Sequence, residues 1–315
     1  MNKKYAIFPL LAGFFVMGFG DIIGTVMNQV KAECAANADT IAWLMPVFAY
    51  VWFLLISIPT GVAAGRIGRK NTVLFSLVVS VAAMSVPLFA DAERWYLYIA
   101  AFALVGIGNT IIQAALPALM SNVVASDKLT SRISLGQFVK AICAALTPVF
   151  VYLTASVLGN WKLIFVLYGI LTAVTAVWLF LSDIPDERAS GGGAAGTSFA
   201  SCAAMLKKPY VAAMTLGIFF SVGADVGMSV AIPEYLQNVF KVDKDLAGMG
   251  PSVCFIAKTV ATFAGALVFA RVSAAKCLPW CMGLGLAVMF AMPFAPTPLV
   301  FLAIVALVSF LAANS

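Results

Sequence analysis

The chain has 315 residues, of which 63% are hydrophobic and only 10% charged, with 24 Phe, no His and a formal net charge of +6. A soluble domain carries roughly a quarter charged residues, and the apolar runs that recur here require a bilayer instead. Without His there is no Ser-His-Asp or Cys-His catalysis, HExxH zinc site or haem–His ligation, and no polar domain is present to carry a basic nucleic-acid-binding face.

In chain order the pattern predicts ten spans: 5–30, 41–61, 72–90, 95–120, 133–158, 163–181, 210–239, 246–272, 278–294 and a tenth from 298. Span 1 is longer than a signal-peptide core and carries Asp21, so it reads as a retained helix. On it Asp21, Thr25, Asn28 and Gln29 fall at i, i+4, i+7 and i+8, one polar face on an apolar helix. That face suits a wet cavity. A partly desolvated carboxylate there can take up and release a proton, or pair statically with Lys140 or Lys258.

Tyr50 and Trp52 in span 2 offer rings to stack on a sugar. Spans 2 and 3 are joined by Gly61 and then Gly65-Arg66-Ile67-Gly68-Arg69-Lys70. The expectation is a tight crossing at Gly61, with a basic cluster that meets helix C-terminal dipoles. Span 4 carries Gly106-x-Gly108, then Asn109 and Gln113 at i, i+4, with Pro117 as a kink near its end. Buried amides both donate and accept, which suits hydroxyl-rich solutes; the alternative is an interhelical hydrogen bond. Span 5 adds Gln137 and Lys140, and Pro148 as a kink.

After span 6 the Gly/Ser-rich stretch 182–209 reads as a linker, which divides the chain into 1–181 and 210–315. The two sides echo each other. Gly13 and Asp21 in span 1 match Gly217 and Asp225 in span 7 at an offset of 204. Span 7 carries Ser221, Asp225 and Ser229 at i+4 steps, with Glu234 nearer its end, and Gly223 and Gly227 as a packing pair. With six spans between mates, this is a parallel repeat about an axis along the membrane normal. At an offset of 205 Asn314 falls on Asn109, so the chain is expected to stop within span 10, with two spans still to follow.

Loop charges set the orientation. Lys3, Lys4, Arg66, Arg69, Lys70, Lys128, Arg132, Arg188, Lys207, Lys208, Arg271 and Lys276 lie on the side of the N-terminus, against Lys31, Arg94, Lys162, Lys241 and Lys244 on the other. The N-terminus is therefore expected to be cytoplasmic. Of the six Cys only Cys34 lies in an outer loop, and Cys277 and Cys281 have no partners for a zinc site, so all six read as apolar fillers.

The loop after span 2 resembles the G-x-x-x-D-R-x-G-R-[RK] string of the major facilitator superfamily. Gly61, Arg66, Gly68, Arg69 and Lys70 match, and Gly65 stands where that family has Asp. Within the superfamily the chain looks most like the fucose permease group of sugar–proton symporters. Asp21 matches the carboxylate that group uses in its first helix. Gly106-x-Gly108 followed by Gln113-Ala114-Ala115-Leu116-Pro117 looks like its fourth-helix string, although the Glu of that helix is absent and Ile111 and Ile112 are the nearest positions.

The resemblance implies an all-α membrane protein with the six-plus-six major facilitator fold, whose two halves rock about a central site. The expected function is proton-coupled uptake of a sugar or similar small polar solute by a monomer in the inner (plasma) membrane. Asp21 and Asp225 are the expected proton-coupling residues. Asn28, Asn109, Gln113, Gln137 and Lys140 are the expected solute-binding residues, and Gly61, Arg66, Gly68, Arg69 and Lys70 the gating loop. No catalytic residue, metal or cofactor is expected. The alternatives are a drug or metabolite exporter of the same superfamily, or a ten-helix drug/metabolite exporter. The latter would place its midpoint linker after span 5 rather than span 6.

Overall fold

The structure is a computed structural model that describes residues 6–184, 204–242 and 250–313. Among the described residues every regular element is helical. The helices are α1 (Ile7–Met17), α2 (Ile23–Glu33), α3 (Ala38–Ile67), α4 (Arg69–Ser85), α5 (Tyr96–Met120), α6 (Ser126–Ser156), α7 (Leu163–Leu181), α8 (Pro209–Asn238), α9 (Gly250–Val268), α10 (Ala274–Met289) and α11 (Pro298–Ala312). The predicted linker 182–209 lies largely outside the described residues.

Two expectations are corrected. Span 1 is not one helix: α1 and α2 are separated by a 3-10 turn, Gly18–Ile22. Gly18 and Gly20 bracket Phe19 there, and each glycine weakens an α-helix by about 1 kcal/mol relative to Ala. Nor does the chain turn at Gly61. α3 runs through it to Ile67, and nothing lies within 4 Å of a Cβ placed on Gly61. At 1.5 Å per residue α3 is about 45 Å long, more than a hydrocarbon core of about 30 Å requires. The turn falls instead at Gly68, whose φ of 98° and ψ of 149° belong to glycine.

Five of these segments are long and apolar enough to cross a bilayer by themselves: Ala35–Ile67, Arg69–Phe89, Tyr96–Met120, Leu163–Leu181 and Lys276–Phe294. Four shorter apolar helices accompany them: Ile7–Gly20, Pro209–Ser221, Ser252–Val268 and Pro298–Ala312. Packing divides the chain into two units, Met1–Leu129 with Ile142–Cys202, and Thr130–Ala141 with Ala203–Ser315.

In the first unit α5 is the central helix, packed mainly against α3 and α4. Its glycines allow this. A Cβ on Gly106 would lie 2.2 Å from the Ala49 carbonyl oxygen of α3, and one on Gly108 would lie 2.5 Å from Ser80 Oγ of α4. Lipid tails are as apolar as the side chains they touch, so close backbone approach is a main source of attraction between spans. On α1, Gly13 receives Leu116 of α5 in the same way.

The far end of this unit is tied by a lysine. Lys162 Nζ donates to Glu33 Oε1 at 2.8 Å and to the Ala90 carbonyl at 2.7 Å, and sits 5.7 Å and 5.9 Å from the ring centres of Tyr98 and Trp161. It thus joins the end of α2 to the starts of α5 and α7. Both charged side chains are mostly covered, 19% and 24% exposed. Removing one partner strands the other. Lys162→Met is expected to lower stability by about 1–3 kcal/mol, and Lys162→Met with Glu33→Gln to recover most of it. Thermal unfolding of the four members of the cycle in detergent measures this; additive losses would show that the pair contributes nothing. Beside the pair Cys34 is buried, which pushes its thiol pKa up, with Glu33 adding to the effect.

In the second unit Met228, Ile232 and Leu236 of α8, Cys254 of α9 and Phe301, Val305 and Val308 of α11 form one core. Tyr235 stacks on Phe301 at 4.7 Å. From α6, Ser131 Oγ donates to the Ala266 carbonyl at 2.7 Å, and Phe138 lies 5.0 Å from Phe263. Gly217 and Gly223 face open space, unlike Gly13 in the first unit, so the glycines of the sequence repeat are not packed alike.

Candidate functional site

The 3-10 turn Gly18–Ile22 is gripped from two sides. Phe19 is buried and lies flat on the Tyr168 ring of α7, with centroids 3.8 Å apart and planes 6° apart. Tyr168 is itself buried, and its hydroxyl hydrogen-bonds Thr147 Oγ1 of α6 at 2.8 Å. Phe150 meets the Tyr168 ring edge-on. On another side the amide of Asn109 occupies the space a side chain on Gly20 would need; a Cβ there would be 2.0 Å from Asn109 Nδ2.

Asn109 is 9% exposed, and Gln113 Nε2 donates to its Oδ1 at 3.2 Å. A small recess lined by Gly20, Ser80 and Asn109 on its polar side, and by Met17, Met84 and Ile112 on its apolar side, has room for about one water. An amide pair offers both donors and acceptors, which makes it a ready hydrogen-bonding surface. A short 3-10 stretch within a long helix is a frequent mark of a functional hinge.

The predicted site residues divide as follows. Asn109 and Gln113 are brought together, against the residue that precedes Asp21. The backbone of Asp21 lies in the 3-10 turn, while its side chain and those of Asn28 and Asp225 lie outside the described residues. Gln137 and Lys140 are half-buried on the part of α6 that packs with the second unit.

The basic loop is built around helix ends. Arg69 Nη1 donates to the Ala118 carbonyl and Ser121 Oγ, both at 2.9 Å, and to Asn122 Oδ1, at the C-terminus of α5. Lys70 Nζ donates to the carbonyls of Phe180 at 3.1 Å and Ser182 at 2.6 Å, at the C-terminus of α7. Two adjacent cations thus meet two helix C-termini, the negative ends of helix dipoles. Arg66 is exposed on the last turn of α3, and Gly65, at the position of the family Asp, has open space around it.

Sequence reasoning missed Tyr168, Ser80 and the Glu33–Lys162 pair. A tyrosine within an otherwise apolar span was the only signal for the first of these.

The sequence model of the Major Facilitator Superfamily matches residues 10–315. The chain belongs to the major facilitator superfamily. As a member of it, the chain is a multi-pass membrane transporter rather than an enzyme, which sets aside the ten-helix exporter, a different fold. Among solved structures the chain is similar to the Escherichia coli fucose:proton symporter FucP, with a TM-score of 0.83 and 15% identity over 100% of this chain and 83% of that one. It is also similar to the proton:xylose symporter XylE bound to 6-bromo-6-deoxy-D-glucose, with a TM-score of 0.71 and 14% identity over 99% and 79%. At these identities the likeness is one of fold. No curated protein sequence matches the chain.

Proposed function

We propose that this superfamily transporter takes up a sugar or similar small polar solute together with protons, by alternating access, with Asp21 carrying the proton. The observation that supports this reading is the Asn109–Gln113 amide pair pressed against Gly20, next to Asp21, at a break in a membrane helix. In this reading neutral hydrogen-bonding groups and an ionisable one serve at the same depth. Intramembrane carboxylates are costly and persist where they serve a path. Discontinuous helices are where transporters of several folds place their sites.

Asn28, Gln137 and Lys140 are further solute-binding residues in this reading, and Asp225 is a second coupling carboxylate. The segments 1–181 and 210–315 form the two bundles, joined by 182–209. Arg66, Gly68, Arg69 and Lys70 belong to the gating loop; Gly61, inside α3, is its N-terminal neighbour. The excess of Lys and Arg on the N-terminal side supports a cytoplasmic N-terminus in the inner membrane, and the protein acts as a monomer. The structural neighbours are fucose:proton and proton:xylose symporters, which favours monosaccharides for the first substrate panel.

The test is uptake by proteoliposomes of radiolabelled monosaccharides, L-fucose and D-xylose among them, with and without an imposed proton gradient. Accumulation is expected only with the gradient. Asp21→Asn is expected to abolish that accumulation and to leave solute counterflow intact. If Asp21→Asn still accumulates solute, Asp21 is not the coupling residue.

A further inference from the structure

The turn that carries Asp21 is not stable by itself. Its hydrogen bonds are the poorer i→i+3 kind, and Gly18 and Gly20 on either side of Phe19 leave the backbone with alternatives. What fixes it is tertiary. Phe19 is the only side chain between the two glycines, and its ring lies on Tyr168 with planes 6° apart. Tyr168 cannot turn freely, because its hydroxyl is bonded to Thr147 and Phe150 packs nearly perpendicular to its ring. With Phe19 fixed, Gly20 lies against the Asn109 amide, which accepts from Gln113. One chain of contacts therefore runs from Thr147 on α6 through Tyr168 on α7 and Phe19 to the amide pair on α5.

We propose that Tyr168 is a positioning residue for transport: through its stack on Phe19 it holds the 3-10 turn, and with it Asp21, in register with Asn109. This rests on the reading of Asp21 as the coupling carboxylate. Tyr168 itself touches neither solute nor proton. Its ring, more than its hydroxyl, does the holding, so Phe serves in its place and Leu does not.

The experiment uses the purified full chain in lipid nanodiscs, and needs no identified solute. Amide hydrogen exchange across 18–22 is expected to quicken by about tenfold or more in Tyr168→Leu and in Phe19→Leu, and to stay near the unmodified rate in Tyr168→Phe. Exchange in the rest of α5 and α7 is expected to be unchanged. Should Tyr168→Leu fail to fold, Phe19→Leu breaks the same stack from the other side. Unchanged exchange at 18–22 in the Leu variants would overturn the proposal. So would a rise spread evenly through the unit, or one as large in Tyr168→Phe as in Tyr168→Leu.

Infrared difference spectra supply the second readout. The carboxyl band lost in Asp21→Asn is expected to change frequency in Tyr168→Leu and not in Tyr168→Phe. A band that stays put in Tyr168→Leu removes the link from Tyr168 to Asp21. If Asp21→Asn removes no band, the coupling reading fails instead, and the exchange result still decides whether Tyr168 holds the turn.

Discussion

Gly106→Ala is expected to lower the melting temperature of the purified protein by several degrees, and Gly108→Ala by distinctly less. The difference lies in what each new methyl group meets. At Gly106 it would sit 2.2 Å from the carbonyl oxygen and 2.8 Å from the carbonyl carbon of Ala49, backbone atoms of α3, and 2.8 Å from Trp52 Cδ1. Backbone cannot rotate aside, so α3 and α5 must part along their contact. Overpacking of this kind costs about 1–3 kcal/mol, occasionally more. Between spans close packing is a main source of attraction, so parting α3 from α5 forfeits much of what holds them. At Gly108 the nearest atom is Ser80 Oγ at 2.5 Å, with the next, Ser76 O, at 3.3 Å. A serine hydroxyl has other rotamers, at the cost of its bond to the Ser76 carbonyl. Thermal unfolding of the two variants side by side is the measurement. Equal losses, or a greater loss at Gly108, would show that the α3–α5 contact is looser than its geometry.

The second large effect is expected at Gly68→Ala, with Gly61→Ala as its control. Gly68 holds φ 98° and ψ 149°, a region all but closed to other residues, where a side chain costs about 1–3 kcal/mol. Relaxing that strain rotates the start of α4. Arg69 and Lys70 would then lose the carbonyls of Ala118, Phe180 and Ser182, each cation–helix-end contact adding about 0.3–1 kcal/mol to the loss. Gly61 sits inside the C-terminal part of α3 with open space around it, so Ala there should stabilise the helix by about 0.5–1 kcal/mol. Opposite signs at two glycines of one motif are the expected result, read by melting temperature and by transport. A harmful Gly61→Ala together with a harmless Gly68→Ala would place the turn where the sequence pattern put it, and not where the structure has it.

That contrast shows what the sequence could and could not convey. Span positions were readable because bilayer thickness imposes a length on apolar runs, and charges mark their ends. The family was readable because Arg66, Gly68, Arg69 and Lys70 keep a spacing. Which of Gly61, Gly65 and Gly68 makes the turn was not, because all three suit a turn by composition and only the backbone angles distinguish them. The break in the first span was hidden for a different reason: Gly18 and Gly20 permit it, but Tyr168 and Asn109 impose it. The Glu33–Lys162 pair joins residues 129 apart, and the acceptors of Arg69 and Lys70 are mostly main-chain oxygens, which leave no trace in residue identity. The candidate site was half legible: the amides and the carboxylate stood out as polar residues in apolar helices, while the residues that hold them were apolar or aromatic and looked like ordinary core.

The bonds of Arg69 and Lys70 also impose a schedule. Lys70 bonds to carbonyls 110 and 112 residues further along the chain, and Arg69 to one 49 residues along. At a synthesis rate of about 5–20 residues per second, the last of these acceptors leaves the ribosome roughly 5–20 s after the lysine. Until its acceptors emerge each side chain is a bare charge, of the kind that keeps a loop from being translocated. Arg69 becomes a donor once α5 is in place and Lys70 only once α7 follows, and between them they draw three helix ends together. The same two residues thus serve first as a topological signal and later as the closing bonds of a finished bundle.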